Sequence, residues 1–204
     1  MIAIVDYGVG NLFSLYSSFK RVGADIVVTS DKKTIQNAEK VILPGVGAYA
    51  DAVKKLVETG MDEVIRGEVK KGKYVMGICL GMQLLFDKSF EYGIHEGLGM
   101  IHGDVIPMRG FIPNTLKVPH IGWNKLLIEK PHFLFKYCND REYVYFVHSY
   151  FATNCQENII ATMEYGEKLT ASVAKDNVLG CQFHPEKSGD SGLNILRAFC
   201  EQSD

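Results

Sequence analysis

The stretch Lys73-Tyr-Val-Met-Gly-Ile-Cys-Leu-Gly-Met-Gln-Leu-Leu-Phe86 joins a short apolar run, a cysteine between two glycines and a second apolar set. Residues 74–78 suit a buried strand, and the later apolar residues fit one side of a helix. The flanking glycines allow a sharp turn from strand to helix without a Cβ clash. The pattern predicts that Cys79 projects from this corner, as the serine does in a G-x-S-x-G elbow. Backbone N–H groups and the helix dipole would then stabilise a thiolate and bind a developing oxyanion. A buried packing cysteine is the alternative that this stretch alone leaves open.

Bulk composition narrows the class of protein. The 204 residues are 47 % apolar and 23 % charged, which is typical of a soluble globular chain and predicts one domain over residues 1–204. The formal net charge of −2 argues against a nucleic-acid or anionic-membrane partner held mainly by charge.

The N-terminal sequence and the pattern of cysteines indicate the cellular compartment of the protein. The first apolar run ends at Asp6 without a basic segment before it, so we expect a first strand and no signal peptide. No apolar run approaches the roughly 18 residues that a membrane span needs. The five cysteines are scattered and contain no C-x-x-C, which argues against a disulfide framework or a zinc site. We therefore expect a reduced, cytoplasmic protein.

Strands and helices alternate in the first half of the sequence. Strands are predicted at 2–5, 25–29 and 41–43, and helices at 11–22, after the N-cap Asp31, from Tyr49 and at 61–71. This order, followed by the Cys79 strand, predicts an α/β fold whose mostly parallel sheet is covered by helices on both faces. Sites in such sheets form outside the carboxyl ends of the strands, where Pro44–Gly47 and Cys79 lie.

The second half is predicted to be richer in strands. The candidates are 104–108 as an edge strand, 143–148, 159–165, 171–175 and 178–183, and a last helix ends near Glu201. The segment Pro119-His-Ile-Gly-Trp-Asn124 suggests a compact turn.

The segment Asp6-Tyr-Gly-Val-Gly-Asn11 resembles the start of a dinucleotide-binding fingerprint. Phe13 replaces the third glycine, and the second strand runs into Thr29 and Ser30 instead of ending at an acidic residue. We therefore interpret these glycines as a tight strand-to-helix turn.

A cysteine nucleophile needs a base, and His184 is the candidate that the sequence favours. It follows the apolar strand that contains Cys181, and Pro185 keeps it out of the α region. Residues two apart in extended chain share a face, so Glu186 could reach His184 Nδ1 and leave Nε2 for a thiol. His120 and His148 could also line a cleft, whereas the remaining histidines are expected to be surface or structural: His95, His102 and His132.

Six ordered motifs resemble one family. Gly77-Ile-Cys-Leu-Gly-Met-Gln83 with His184-Pro-Glu186 resembles the class I (triad) glutamine amidotransferases. Four further segments and Asp6–Asn11 narrow the resemblance to the glutaminase subunits of imidazole glycerol phosphate synthase. Those segments are Pro44-Gly-Val-Gly47, Pro119–Asn124, Tyr145-Phe-Val-His-Ser-Tyr150 and Gln182-Phe-His-Pro-Glu-Lys-Ser-Gly189.

The resemblance implies a flavodoxin-like three-layer α/β sandwich and a catalytic triad. Cys79 corresponds to the nucleophile, His184 to the base and Glu186 to the residue that orients it. Glutamine would be hydrolysed to glutamate and ammonia through a γ-glutamyl thioester. Leu80 N–H is expected as one oxyanion donor.

The resemblance also implies substrate contacts and a second oxyanion donor. That donor would come from the Gly45–Gly47 loop once the Val46–Gly47 peptide has flipped. Gln83, Gly47, Ser149 and Tyr150 are expected to bind the substrate. No metal and no organic cofactor are implied.

The resemblance further implies a partner. The glutaminase docks on a (β/α)₈-barrel cyclase, which uses the ammonia to make imidazole glycerol phosphate and an aminoimidazole carboxamide ribonucleotide in histidine biosynthesis. We place Trp123, Asn124 and Tyr150 near this heterodimer interface, because amphipathic aromatic residues are favoured at interfaces.

Alternatives remain at this point. A similar glutaminase could supply ammonia to an amidotransferase of surface-sugar biosynthesis. The glutaminase of pyridoxal phosphate synthesis shares the triad but lacks the Pro-His-x-Gly-Trp-Asn segment. The non-enzymatic alternatives are an inactive partner-binding subunit and a thiol redox sensor with a resolving cysteine near Cys79.

Overall fold

Fourteen strands and six helices are present in residues 1–202, the part of the chain that the computed structural model describes. The strands are β1 (Ile2–Val5), β2 (Ile26–Thr29), β3 (Lys40–Leu43), β4 (Tyr74–Ile78), β5 (Lys88–Ser89), β6 (His95–Glu96), β7 (Asp104–Pro107), β8 (His120–Lys125), β9 (Leu127–Ile128), β10 (Tyr143–His148), β11 (Tyr150–Thr153), β12 (Ile159–Tyr165), β13 (Glu167–Lys175) and β14 (Val178–Cys181). The helices are α1 (Leu12–Arg21), α2 (Lys32–Asn37), α3 (Tyr49–Thr59), α4 (Met61–Lys70), α5 (Leu80–Gln83) and α6 (Gly189–Glu201). Three short 3₁₀ turns cover Phe133–Phe135, Gln156–Asn158 and Pro185–Lys187. Within these residues no helix has the length and apolar character that crossing a bilayer requires.

The largest sheet has the strand order β2-β1-β3-β4-β14-β13-β12-β9. Its first five strands run parallel, and the last three continue it with antiparallel pairings. The predicted α/β class, with a mostly parallel sheet and a strand-rich second half, is confirmed. The chain crosses from β3 to β4 through α3 and α4, as parallel neighbours require.

Helices cover both faces of this sheet because its strands are apolar on both sides. Ile2 and Ile4 pack in the same cluster as residues of α1 and α6. Ala3 and Val5 point to the opposite face, in the cluster that contains residues of α2, α3 and α4. This alternation gives the three layers that the sequence predicted.

Two sequence predictions in the second half are wrong. The segment Pro119–Asn124 is mainly strand: β8 pairs antiparallel with the whole of β10. Pairing with that strongly β-forming partner overrides the turn preference of proline, glycine and asparagine. The segment predicted as an edge strand, β7, instead lies between β11 and β5 in a smaller sheet of order β11-β7-β5-β6.

The helix after Cys79 is also shorter than predicted, because α5 has four residues and ends at Gln83. Leu85 and Phe86 continue in tight turns that bond three residues back, and both are fully buried. The apolar set therefore fills the core without forming a long helix. A single turn has a small dipole, so stabilisation of charge at Cys79 depends on individual N–H groups.

Candidate active site

Three neighbouring strands bring the predicted catalytic segments together. In the order β3-β4-β14, the carboxyl ends lead into Pro44–Gly47, Cys79 and His184 respectively. Cys79 N–H donates to Cys181 O at 2.7 Å and so joins β4 to β14 just below the corner. The site lies at the edge of the sheet where parallel α/β folds place their ligands.

Cys79 occupies a strained backbone conformation, with φ 55° and ψ −113°. Such a conformation costs a non-glycine residue about 1–3 kcal/mol and persists only where the surroundings enforce it. The flanking glycines provide that enforcement. A Cβ on Gly81 would overlap the Leu43 carbonyl, and one on Gly77 would lie 2.7 Å from Met82 N. The tight corner therefore presents the thiol at the end of β4.

His184 is held by backbone and side-chain contacts. Its N–H donates to Tyr145 O at 2.9 Å, and its Nδ1 lies 2.7 Å from Glu186 Oε1. The two side chains are only 4 % and 1 % exposed. The sequence predicts this contact along an extended chain, but Pro185–Lys187 form a 3₁₀ turn that carries Glu186 back towards the ring.

The electrostatics of His184 favour its charged form. Burial lowers the pKa of the imidazole, but the nearby Cys79 sulfur and the Glu186 carboxylate outweigh burial and raise the pKa to about 9. Nε2 is buried and has no hydrogen-bond partner within the described residues. An imidazolium beside a cysteine sulfur, with its other nitrogen on a carboxylate, has the geometry of an activated nucleophile.

A cavity of about 570 Å³ opens above Cys79. This volume lies within the range of small-molecule sites. All the residues predicted for the oxyanion hole and for substrate binding line the cavity: Val46, Gly47, Leu80, Gln83, Ser149 and Tyr150.

The loop after β3 packs against the start of α5. A Cβ on Gly45 would come 2.8 Å from Gly81 N, so the loop and the corner are in close contact. Tyr7 fixes this loop by donating from its hydroxyl to Pro44 O at 2.8 Å. Leu80 is the first residue of α5, where a helix leaves its N–H groups without acceptors inside the helix. Gly47 has φ 92°, which a side chain would disfavour.

A buried histidine pair supports the opposite wall. His148 Nδ1 lies 2.9 Å from Tyr150 O, and a carbonyl oxygen can only accept, so Nδ1 carries the proton. His148 Nε2 then accepts from His120 Nδ1 at 3.3 Å. Burial lowers the pKa of both rings, that of His148 to about 4, which keeps both neutral. His148 lines the cavity and His120 lies behind it.

Comparison with known proteins identifies the family. The family described as glutamine amidotransferase class-I matches residues 3–202. The chain belongs to this family. A curated relative from Caldanaerobacter subterraneus subsp. tengcongensis, "Imidazole glycerol phosphate synthase subunit HisH", is 50 % identical, with 98 % of each chain covered. A relative of the same name from Sulfurimonas denitrificans is 48 % identical over 98 % of this chain and 97 % of its own. A solved structure titled "Crystal structure of glutamine amidotransferase" superposes with a TM-score of 0.75 at 20 % sequence identity. The match covers 98 % of this chain and 100 % of that chain, so the two proteins share a fold.

The amidotransferase cavity also contains residues that no sequence motif predicts. Glu91, Tyr92 and Arg109 line it, and the Glu91 carboxylate also accepts from Tyr49 N–H at the start of α3. Glu91 and Arg109 add one charge of each sign, as an amino-acid substrate needs. No periodic pattern marks either residue, because both lie between short strands of the smaller sheets and reach the cavity only through the tertiary fold.

The residues proposed for a partner interface lie in different surroundings. Trp123 is 53 % exposed on β8 and packs edge-on against Tyr145. Asn124 is engaged internally, since its side chain donates to Glu164 O at 2.8 Å. Tyr150 lines the amidotransferase cavity and contacts the Tyr92 ring. Of the three, Trp123 therefore offers the largest free apolar surface.

Proposed function

We propose that this amidotransferase is the glutaminase subunit of imidazole glycerol phosphate synthase. It hydrolyses L-glutamine to glutamate and ammonia and delivers the ammonia to a (β/α)₈-barrel cyclase in histidine biosynthesis. The observation that carries the proposal is the grouping of Cys79, His184 and Glu186 at a cavity of about 570 Å³. The family match over residues 3–202 also supports one amidotransferase domain over residues 1–204, of which the last two lie outside the described residues.

The chemistry follows from the position of the Cys79 sulfur beside the charged ring of His184. The Cys79 thiolate attacks the side-chain amide carbon of glutamine and forms a tetrahedral oxyanion. The C–N bond breaks as His184 Nε2 protonates the departing ammonia, which leaves a γ-glutamyl thioester. His184, now neutral, takes a proton from water, whose oxygen attacks the thioester and releases glutamate. Glu186 keeps the Nδ1 proton in place throughout and stabilises each imidazolium.

The oxyanion hole is assigned to the corner and to the loop beside it. Leu80 N–H is the first donor, because it opens α5 next to the reacting carbon. The second donor is the Val46–Gly47 peptide after it flips, and the two neighbouring glycines, Gly45 and Gly47, lower the barrier to that motion. Tyr7, hydrogen-bonded to Pro44 O, anchors the base of this loop.

Substrate recognition is assigned to the cavity walls. The backbone of Ser149 and Tyr150 binds the α-amino and α-carboxylate groups, and Gln83 contacts the substrate from α5. Glu91 is the carboxylate on the cavity wall, and we assign it to the α-ammonium group. Opposite charges of this kind fix the orientation of a small ligand.

The partner is inferred from the relatives, which are named as synthase subunits. Those names favour histidine biosynthesis over the surface-sugar pathway as the destination of the ammonia. Trp123, Asn124 and Tyr150 are proposed to lie near the interface, with exposed Trp123 as the apolar anchor.

The test is glutamine hydrolysis by wild type and Cys79→Ala, each alone and with the barrel subunit and its nucleotide ligand. We expect ligand-loaded partner to stimulate the wild type and Cys79→Ala to be inactive in every condition. Hydrolysis by Cys79→Ala would refute the nucleophile. Wild-type protein that binds the barrel yet fails to rescue a histidine auxotroph lacking its own glutaminase would refute the pathway.

A further inference from the structure

We propose that Gln182 is a hydrogen-bond donor to the Cys79 sulfur, and that a relay from the Tyr150 carbonyl through Gln83 fixes its amide in the donating orientation. The inference rests on the proposed role of Cys79 as nucleophile. It adds to the triad a residue that touches the reacting atom from the side opposite to the oxyanion loop.

The contacts form a continuous buried chain. Gln83 Nε2 donates to Tyr150 O at 3.2 Å and to Gln182 Oε1 at 2.9 Å. Gln182 Nε2 then lies 3.8 Å from Cys79 Sγ. Gln182 is fully buried and Gln83 is 7 % exposed, so water does not compete for these amides.

The orientation of each amide follows from chemistry. A backbone carbonyl only accepts, so the end of Gln83 that faces Tyr150 O must be its NH₂ group. The same NH₂ group contacts Gln182, which must therefore present its oxygen to Gln83 and its NH₂ to the sulfur. His148 Nδ1–H donates to the same Tyr150 carbonyl and holds this first acceptor in place.

A donor at this position favours the thiolate over the thiol, because a sulfur anion accepts more strongly than a neutral sulfur. The titratable groups that interact with the sulfur are Tyr7 and His184, with Glu186 behind His184 and His148 across the cavity. Gln182 differs from these groups because its amide does not titrate, so its hydrogen bond to the sulfur is present at every pH of the experiment.

The experiment measures alkylation of Cys79 by iodoacetamide from pH 5 to pH 9, read by peptide mapping, in wild type and Gln182→Met. Methionine keeps the length of the side chain and removes the donor. Burial raises the pKa of the other four thiols to about 11 or 12, so they stay protonated and act as internal references: Cys138, Cys155, Cys181 and Cys200. Gln156→Met on the exposed surface is the matched control.

We expect the pH at which Cys79 alkylation is half-maximal to rise by about one unit in Gln182→Met, which is equivalent to about 1.4 kcal/mol. In the control Gln156→Met this pH should not change. kcat for glutamine should fall about tenfold with KM nearly constant. Gln83→Met should give a smaller shift, because Gln182 is then free to rotate. An unchanged midpoint in folded Gln182→Met, checked by thermal unfolding, would overturn the inference while leaving the proposed function intact. Failure of the proposed function would show separately, as hydrolysis by Cys79→Ala.

Discussion

Replacing Glu186 by glutamine tests the electrostatics of the site most sharply, because it removes one charge and keeps the shape. The carboxylate Oε1 lies 2.7 Å from His184 Nδ1, and neither side chain is more than 4 % exposed. A buried hydrogen bond to a charged partner contributes about 1.5–3 kcal/mol. If that interaction is realised in the transition state, kcat/KM should fall about 10- to 150-fold.

The pH dependence gives the sign of the effect. The pKa of His184 is raised from 6.5 to about 9, so its charged form contributes to native stability fully below about pH 6.5 and loses that contribution as the pH rises through about 9. The protonated ring also delivers the proton to ammonia, so activity should fall on the same alkaline limb. Removing the negative charge of Glu186 lowers the pKa of His184, and the limb should move to lower pH.

The assay is steady-state glutamine hydrolysis of the partner-bound enzyme from pH 6 to pH 10, with thermal unfolding at each pH. Glu167→Gln is the matched control, since Glu167 is exposed on β13 and far along the sheet from the triad. Folded Glu186→Gln with kcat/KM within about threefold of wild type and the same alkaline limb would refute the assigned role of the carboxylate.

Further predictions concern the corner and the cavity. Gly81→Ala should abolish activity and lower the free energy of unfolding in urea by at least about 1–3 kcal/mol, because the new Cβ would overlap the Leu43 carbonyl. Gly67→Ala in helix α4, where a Cβ meets no other atom, should instead raise the free energy of unfolding by about 1 kcal/mol. Equal effects of the two substitutions would contradict the packing at the corner. Glu91→Gln should raise KM for glutamine about tenfold with kcat nearly unchanged, and an unaltered KM would remove Glu91 from substrate binding. Tyr7→Phe loses the hydrogen bond to Pro44 O and should cost about 1 kcal/mol in urea unfolding, together with a lower kcat; wild-type kcat would contradict loop anchoring.

The first half of the fold could be predicted from the sequence because its signals are local. The strand at 2–5, the N-cap Asp31 and the helix that begins at Tyr49 each follow from periodicity or capping, and the structure contains all three. Segment 119–124 could not be assigned correctly, since its strand exists only through pairing with Tyr143–His148. The length of α5 was likewise set by tertiary packing of Leu85 and Phe86.

The residues of the site also fall into those that local sequence patterns predict and those that depend on tertiary contacts. Cys79, His184 and Glu186 carry recognisable local patterns, and the neighbouring strands bring them together. Glu91 lies in no such pattern, and the motif that contains Gln182 does not predict its contact with the Cys79 sulfur. The contacts of both residues depend on segments far apart in sequence, such as Gln83 and Gln182, which are 99 residues apart.

The most direct test of the nucleophile is labelling with a glutamine-like chloroketone, followed by peptide mapping, while glutaminase activity is measured in the same sample. We predict a single adduct on Cys79 whose formation parallels the loss of activity and is slowed by glutamine. Full labelling of Cys79 with activity retained, or complete inactivation with the adduct on another residue, would contradict the account.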